Sequence, residues 1–137
     1  GLAVDGSASN DCSNMLAEIR TACLLHRLAM GNHAPTPADI LGLATGGGAR
    51  LIGRPDLGSI EEGKAADMFL VKADTLEWVG ADFDPASALA TIGLYRPVDY
   101  TIVAGRIVVK DGRLVNIDET DVAGKARELS RNLCGES

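Results

Sequence analysis

Cysteine, basic charge and long apolar runs are all scarce in this sequence, and each scarcity removes a class of protein. The three cysteines, Cys12, Cys23 and Cys134, make no CxxC pair and no metal-finger spacing, so neither a disulfide scaffold nor a zinc finger is encoded. They read as reduced thiols used as small apolar residues. Thirteen Lys and Arg against nineteen Asp and Glu leave a net charge of −6 and a pI near 4.8, which excludes the basic face that nucleic acid binding requires. No apolar run approaches the roughly 20 residues of a membrane span. The first residues also lack the basic start and apolar core of a secretory signal. A cytoplasmic protein without nucleic-acid or membrane partners is expected.

What is present describes an ordinary globular chain. It is 46% hydrophobic and 23% charged, with mean hydropathy +0.09 and no low-complexity segment. At 137 residues it is long enough for one real core and too short for two ordinary domains. It opens without Met on GLAVD, an apolar run ending in an acid. That opening resembles the interior of a buried parallel strand, so the chain reads as part of something longer.

Residues 1–5 therefore predict a short strand. After the GSASN turn, Asp11 or Ser13 is placed to cap a helix reaching about Met30. Along it Met15, Ile19, Ala22, Cys23, His26 and Met30 share one face. Leu16, Leu24, Leu25 and Leu28 add apolar surface elsewhere, so this helix is expected to be covered on more than one side. Thr36-Pro37-Ala38-Asp39 starts a second helix, with a hydroxyl cap, a proline in the first turn and an acid at the positive dipole end. Thr45 to Gly48 is expected to break it before one more helical turn, 49–52.

Beyond a turn-rich stretch at 54–64 the pattern changes. Residues 66–71 predict a strand, 74–84 a loop and 85–92 a short helix. The runs 100–103 and 106–109, joined at Ala104-Gly105 and followed by the tight turn Lys110-Asp111-Gly112-Arg113, predict an antiparallel meander. Residues 120–133 close as a helix with Val122, Ala126, Leu129 and Leu133 on one face. Residues 1–53 thus read as a βα piece of parallel type, and 54–137 as a β-rich piece with helices.

Few residues are placed to carry chemistry. Asp5 stands at the end of a strand and before a Gly-Ser turn, where α/β folds put reactive groups. It suits a metal ligand or a proton carrier, and equally a solvated or capping turn acid. Gly46-Gly47-Gly48 follows a helix and lacks the GK[ST] of a phosphate loop, so it reads as close helix packing or a helix-to-helix bend. His26 sits on an apolar helix face with no second ligand at spacing; His33 reads as an exposed loop residue, and Trp78 as the cover of a core edge. No nucleophile triad or metal cluster can be assembled.

Taken together, VDGSASND, ATGGGARLIGR, LGSIEEGKAADMFLV and VDYTIVAGRIVVKDGRL resemble the carboxyl-terminal portion of the metal-dependent amidohydrolase superfamily. The likeness is strongest to its 8-oxoguanine deaminase, hydroxyatrazine aminohydrolase and cytosine deaminase-like group. The resemblance implies an α/β fold. Residues 1–53 would be the last βα unit of a (β/α)8 TIM-type barrel, and 54–137 the carboxyl-terminal part of a small β-sandwich.

It also implies that Asp5 binds one divalent metal ion, zinc or alternatively iron. Asp5 would take a proton from the water the metal activates and pass it to the departing ammonia. Ser7 and Asn10 would line the pocket mouth as substrate contacts. The family's histidine ligands match nothing in this chain, so an upstream barrel segment of the same protein is the implied partner, beside a small heterocyclic substrate and further copies of itself in a homo-oligomer. The resulting expectation is hydrolytic deamination of a purine-like ring by an enzyme of which this chain alone is inactive. Hydrolytic dechlorination or deamination of a triazine and a non-catalytic β-rich interaction module are the alternatives.

Overall fold

The computed structural model describes residues 1–135. Helix α1, Met15–Met30, starts at Asn14 rather than at Asp11 or Ser13. The Asn14 Oδ1 accepts from Leu16 N at 3.1 Å and Ala17 N at 3.3 Å, while its Nδ2 donates to Leu94 O at 2.8 Å. An Asp can cap but cannot also donate, so an Asn serves the helix end and the carbonyl of a buried residue together. Helix α2, Pro37–Gly42, begins as expected with a reciprocal Thr36–Asp39 capping box.

The glycine run does not break the helical path. The chain widens into π-helical turns over Leu43–Gly47 and continues as α3, Gly48–Leu51. What the glycines permit is close approach. A Cβ on Gly58 would lie 2.7 Å from Gly46 Cα and 2.9 Å from Ala49 Cβ, and Gly58 has φ +89°. The loop at 58 therefore lies on the backbone of this bend, which bears out close packing over a phosphate cradle.

Helix α4, Pro85–Ile92, is capped by Asp84 and packs against both α1 and α2. The core lies between these helices: Leu16, Ile19 and Ala22 of α1, Ile40 of α2, Ala90 of α4, and Leu94. Ile40 is fully enclosed, a burial that contributes roughly 1.5–3 kcal/mol. The other side of α1 is bare. Leu24, Leu25 and Leu28 are 52%, 59% and 85% exposed, so the second cover expected for this helix is not supplied by the described residues.

The β segment forms one antiparallel sheet in the order β1 (Met68–Leu70), β2 (Tyr100–Val103), β3 (Arg106–Lys110), β4 (Arg113–Leu114). Both predicted hairpin turns form. Ala104-Gly105 and Asp111-Gly112 hold φ of 48°, 76°, 49° and 74°, the left-handed pairs that match strand twist in two-residue turns. The sheet edges are tied by side chains: Asp67 Oδ1 accepts from Ala104 N at 2.7 Å, and Asp99 Oδ2 accepts from Lys72 N at 2.7 Å. Among the described residues no second sheet faces this one.

One expectation fails here. Residues 1–5 form no strand, because a parallel strand exists only through neighbours on the ladder and no described segment lies beside it. The segment instead lays Leu2 on the helical core and Gly1 against α3. The closing helix α5, Glu119–Cys134, forms with Asp118 as its cap, yet its stripe is uncovered, with Val122, Leu129 and Leu133 at 52%, 64% and 88% exposure.

Candidate active site

Asp5 is exposed and adopts φ +64°, a left-handed conformation that Asp reaches more readily than most residues with a Cβ because its side chain can hydrogen-bond locally. The chain turns sharply behind it. Gly6 O accepts from Ser9 N at 2.8 Å and from Asn10 N at 3.0 Å. The Gly6 N–H donates to Asp5 Oδ1 at 2.7 Å, leaving Oδ2 without a hydrogen-bond partner among the described residues. The carboxylate is thus half held and half free.

Asn10 is part-buried and fully occupied. Its Nδ2 donates to Val4 O at 2.8 Å and to Glu18 Oε1 at 2.9 Å, and its Oδ1 accepts from Cys12 N at 3.1 Å. Ser7 lies exposed at the tip of the turn. Asp5, Ser7 and Asn10 therefore share one short loop on the amino side of α1, with Asp5 and Ser7 facing outward and Asn10 working within the loop. Glu18 is the residue that sequence reasoning missed. Nothing in its spacing marks it, since its contact depends on how the loop folds back over the first turn of α1.

His26 Nδ1 hydrogen-bonds Ala22 O at 2.8 Å, which satisfies this histidine on its own helix, and His33 is exposed. All three cysteines are free; burial pushes the Cys23 thiol up, opposed by the Arg27 charge and a backbone hydrogen bond. Asp99 sits below the usual carboxylate range, chiefly because the Lys72 N–H donates to it and next through Arg96, whose Nη1 lies 3.1 Å away. Trp78 is buried as expected, although its Nε1 finds no hydrogen-bond partner in the described structure. It lines an apolar cavity of ≈ 570 Å³ with Leu41, Phe69 and Leu89, away from Asp5.

No group of three His, Cys, Asp or Glu that can hold a metal forms among the described residues. What Asp5 offers fits one coordination position: a hard anionic oxygen, exposed, on a carboxylate whose other oxygen is held by backbone. A catalytic zinc normally takes three protein ligands. The described residues supply one.

Helices over a bend of glycines, a meander tied by aspartates and an acid on a pinned loop together make a mixed helix and strand fold. The Amidohydrolase family model matches residues 1–108, and the chain belongs to that family. It is 48% identical over 133 residues to the 8-oxoguanine deaminase of Pseudomonas aeruginosa, covering 97% of this chain and 29% of that protein. It is 41% identical over 136 residues to the hydroxydechloroatrazine ethylaminohydrolase of Pseudomonas sp. strain ADP, covering 97% and 28%.

Among solved structures, the zinc complex of the atrazine chlorohydrolase TrzN from Arthrobacter aurescens TC1 superposes with TM-score 0.83 at 38% identity, over 90% of this chain and 28% of that one. A zinc-bound adenosine deaminase from Xanthomonas campestris gives 0.84 at 30% identity, over 96% and 30%. The chain thus spans about three-tenths of the length of these relatives.

Proposed function

We propose that this chain is the carboxyl-terminal portion of a metal-dependent amidohydrolase that hydrolytically deaminates a purine-like ring. The observation that carries the reading is Asp5, an exposed carboxylate in a held left-handed conformation with one oxygen free. The 48% identity to an 8-oxoguanine deaminase supports the substrate class. On this reading residues 1–53 complete a (β/α)8 barrel and 54–137 contribute to a β-sandwich. Barrel strands outside this chain would supply the ladder partners that residues 1–5 lack here. The bare apolar side of α1 supports that view over a free-standing module, since exposed apolar patches are a liability unless something covers them.

A divalent ion, zinc on the strength of the zinc-bound relatives, would supply Lewis acidity that lowers a bound water's pKa toward neutrality. Asp5 is the residue of this chain that would hold it. The carboxylate also has the chemistry to accept a proton and release it toward a departing amine, a general-base and general-acid role. Gly6 N–H fixes Oδ1, so the free Oδ2 is the oxygen that faces this work. Ser7, at the exposed tip of the same loop, is placed to meet a substrate at the pocket mouth. The same reading takes the enzyme as a cytoplasmic homo-oligomer.

A second reading, hydrolysis of an amino-substituted triazine, is favoured by the 41% identity to the ethylaminohydrolase. One screen of the complete protein separates them: ammonia release from guanine, 8-oxoguanine, isoguanine and cytosine, against amine release from aminotriazines. Purine turnover supports the first reading. Triazine turnover alone replaces it with the second, and no release from either class removes both.

A further inference from the structure

Asn10 donates both amide protons and accepts through its carbonyl, all within the protein. Its backbone N–H holds Gly6 O and its Nδ2 holds Val4 O. One residue thereby ties the Val4–Asp5 peptide and the Gly6–Ser7 peptide, which bracket the Asp5–Gly6 unit. The second Nδ2 proton goes to Glu18 Oε1 on α1, and α1 is seated in the core through Leu16 and Ile19. We propose that Asn10, braced by Glu18, is the positioning residue that aims the Asp5 carboxylate at its metal ion. The inference rests on the reading of Asp5 as a metal ligand.

The residue type follows from the hydrogen bonds. Two acceptors, Val4 O and Glu18 Oε1, face one end of the side chain, and a donor, Cys12 N, faces the other. That arrangement fixes the orientation of the amide and requires two N–H donors plus one acceptor on a short stem. Aspartate lacks the donors, serine has one, and glutamine is a methylene too long. Asp visits positive φ more readily than most residues with a Cβ, and the bonds from Asn10 hold the loop around Asp5 in that conformation. Groups that orient a metal ligand are typically worth 10–100-fold in metal affinity or activity.

The test uses the full-length holoenzyme and its metal-free form. Dissociation constants for zinc are measured by competition with a chromogenic chelator, alongside kcat, KM and the Tm of the metal-free protein. Asn10→Ala and Asn10→Asp are expected to weaken zinc binding 10–100-fold and to lower kcat with KM nearly unchanged. Glu18→Ala is expected to weaken zinc binding in the same direction. Glu18→Gln, whose amide oxygen still accepts from Asn10, recovers the affinity lost in Glu18→Ala.

A purely structural role predicts a lower metal-free Tm with wild-type zinc affinity in the folded variants, and that result overturns the proposal. Should Asn10→Ala fail to fold, wild-type affinity in both Asn10→Asp and Glu18→Ala overturns it equally. Asp5→Asn separates the two levels. If it binds zinc normally, the ligand reading of Asp5 falls and this inference with it. If it loses zinc while the Asn10 variants keep theirs, only the positioning role is wrong.

Discussion

The side-chain amide of Asn14, at the head of α1, donates to the carbonyl of Leu94, eighty residues further on, at 2.8 Å. Because the same side chain also caps α1, one residue joins the first helix of the chain to the segment that follows α4. Asn14→Ala should remove a cap, costing about 1 kcal/mol, and strip a buried carbonyl of its partner at a further ~1–3 kcal/mol. Asn14→Asp keeps the cap and loses only the second interaction. Urea unfolding of the complete protein should rank wild type, Asp and Ala in that order of midpoint. Equal midpoints for Asp and wild type would show that the Leu94 contact contributes nothing.

Gly58 and Gly46 should respond oppositely to alanine. At Gly58 the new Cβ meets Gly46 Cα at 2.7 Å in a left-handed conformation, whereas at Gly46 its nearest neighbours stand at 3.5 Å and 3.8 Å. Gly58→Ala is expected to destabilise by about 2 kcal/mol or more, from clash and backbone strain together. Gly46→Ala should be near neutral or stabilising by up to ~1 kcal/mol through lost unfolded-state freedom. Thermal midpoints of the two variants decide; a tolerant Gly58 would disprove the close approach.

Asp99 gives the fold an acid-sensitive tie. Its carboxyl is held below the usual carboxylate range by the Lys72 N–H first and by Arg96 as well, and its side chain is 13% exposed. A depressed folded-state pKa contributes stability that is present above the unfolded value near ~3.9 and lost as pH falls through the folded value. Asp99→Asn should therefore be less stable than wild type at pH 7, and the gap should close as pH drops below about 4. Urea midpoints across that range provide the measurement, and a gap independent of pH would contradict the cause assigned here.

Asp5→Asn in the complete enzyme should lose bound metal and depress kcat by at least ~10²-fold, the scale of a lost acid–base group, with little change in Tm of the metal-free protein because Asp5 is exposed. Metal analysis and ammonia release report the two effects separately. Full metal occupancy together with wild-type turnover would remove Asp5 from the site.

Much of the local structure was legible in the residues. The Thr36–Asp39 capping box, the α4 helix behind Asp84-Pro85 and the two left-handed hairpin turns each depend on chemistry within a few residues of sequence. Asn14 was not among the expected caps, Asp11 and Ser13, and its contact with the distant Leu94 carbonyl is what the sequence does not display. The strand expected at residues 1–5 and the covered outer face of α1 depend on partners that no described residue provides.

By itself, then, the sequence determined the helices, the turns and the acid at position 5, because periodicity, caps and positive-φ glycines act over short range. Only the tertiary structure decided that the helical path continues through the glycine bend, that Gly58 rests on it, and that Asn10 reaches back to Val4 and across to Glu18. Those outcomes turn on close packing and hydrogen-bond geometry between segments, which the order of residues along the chain does not display.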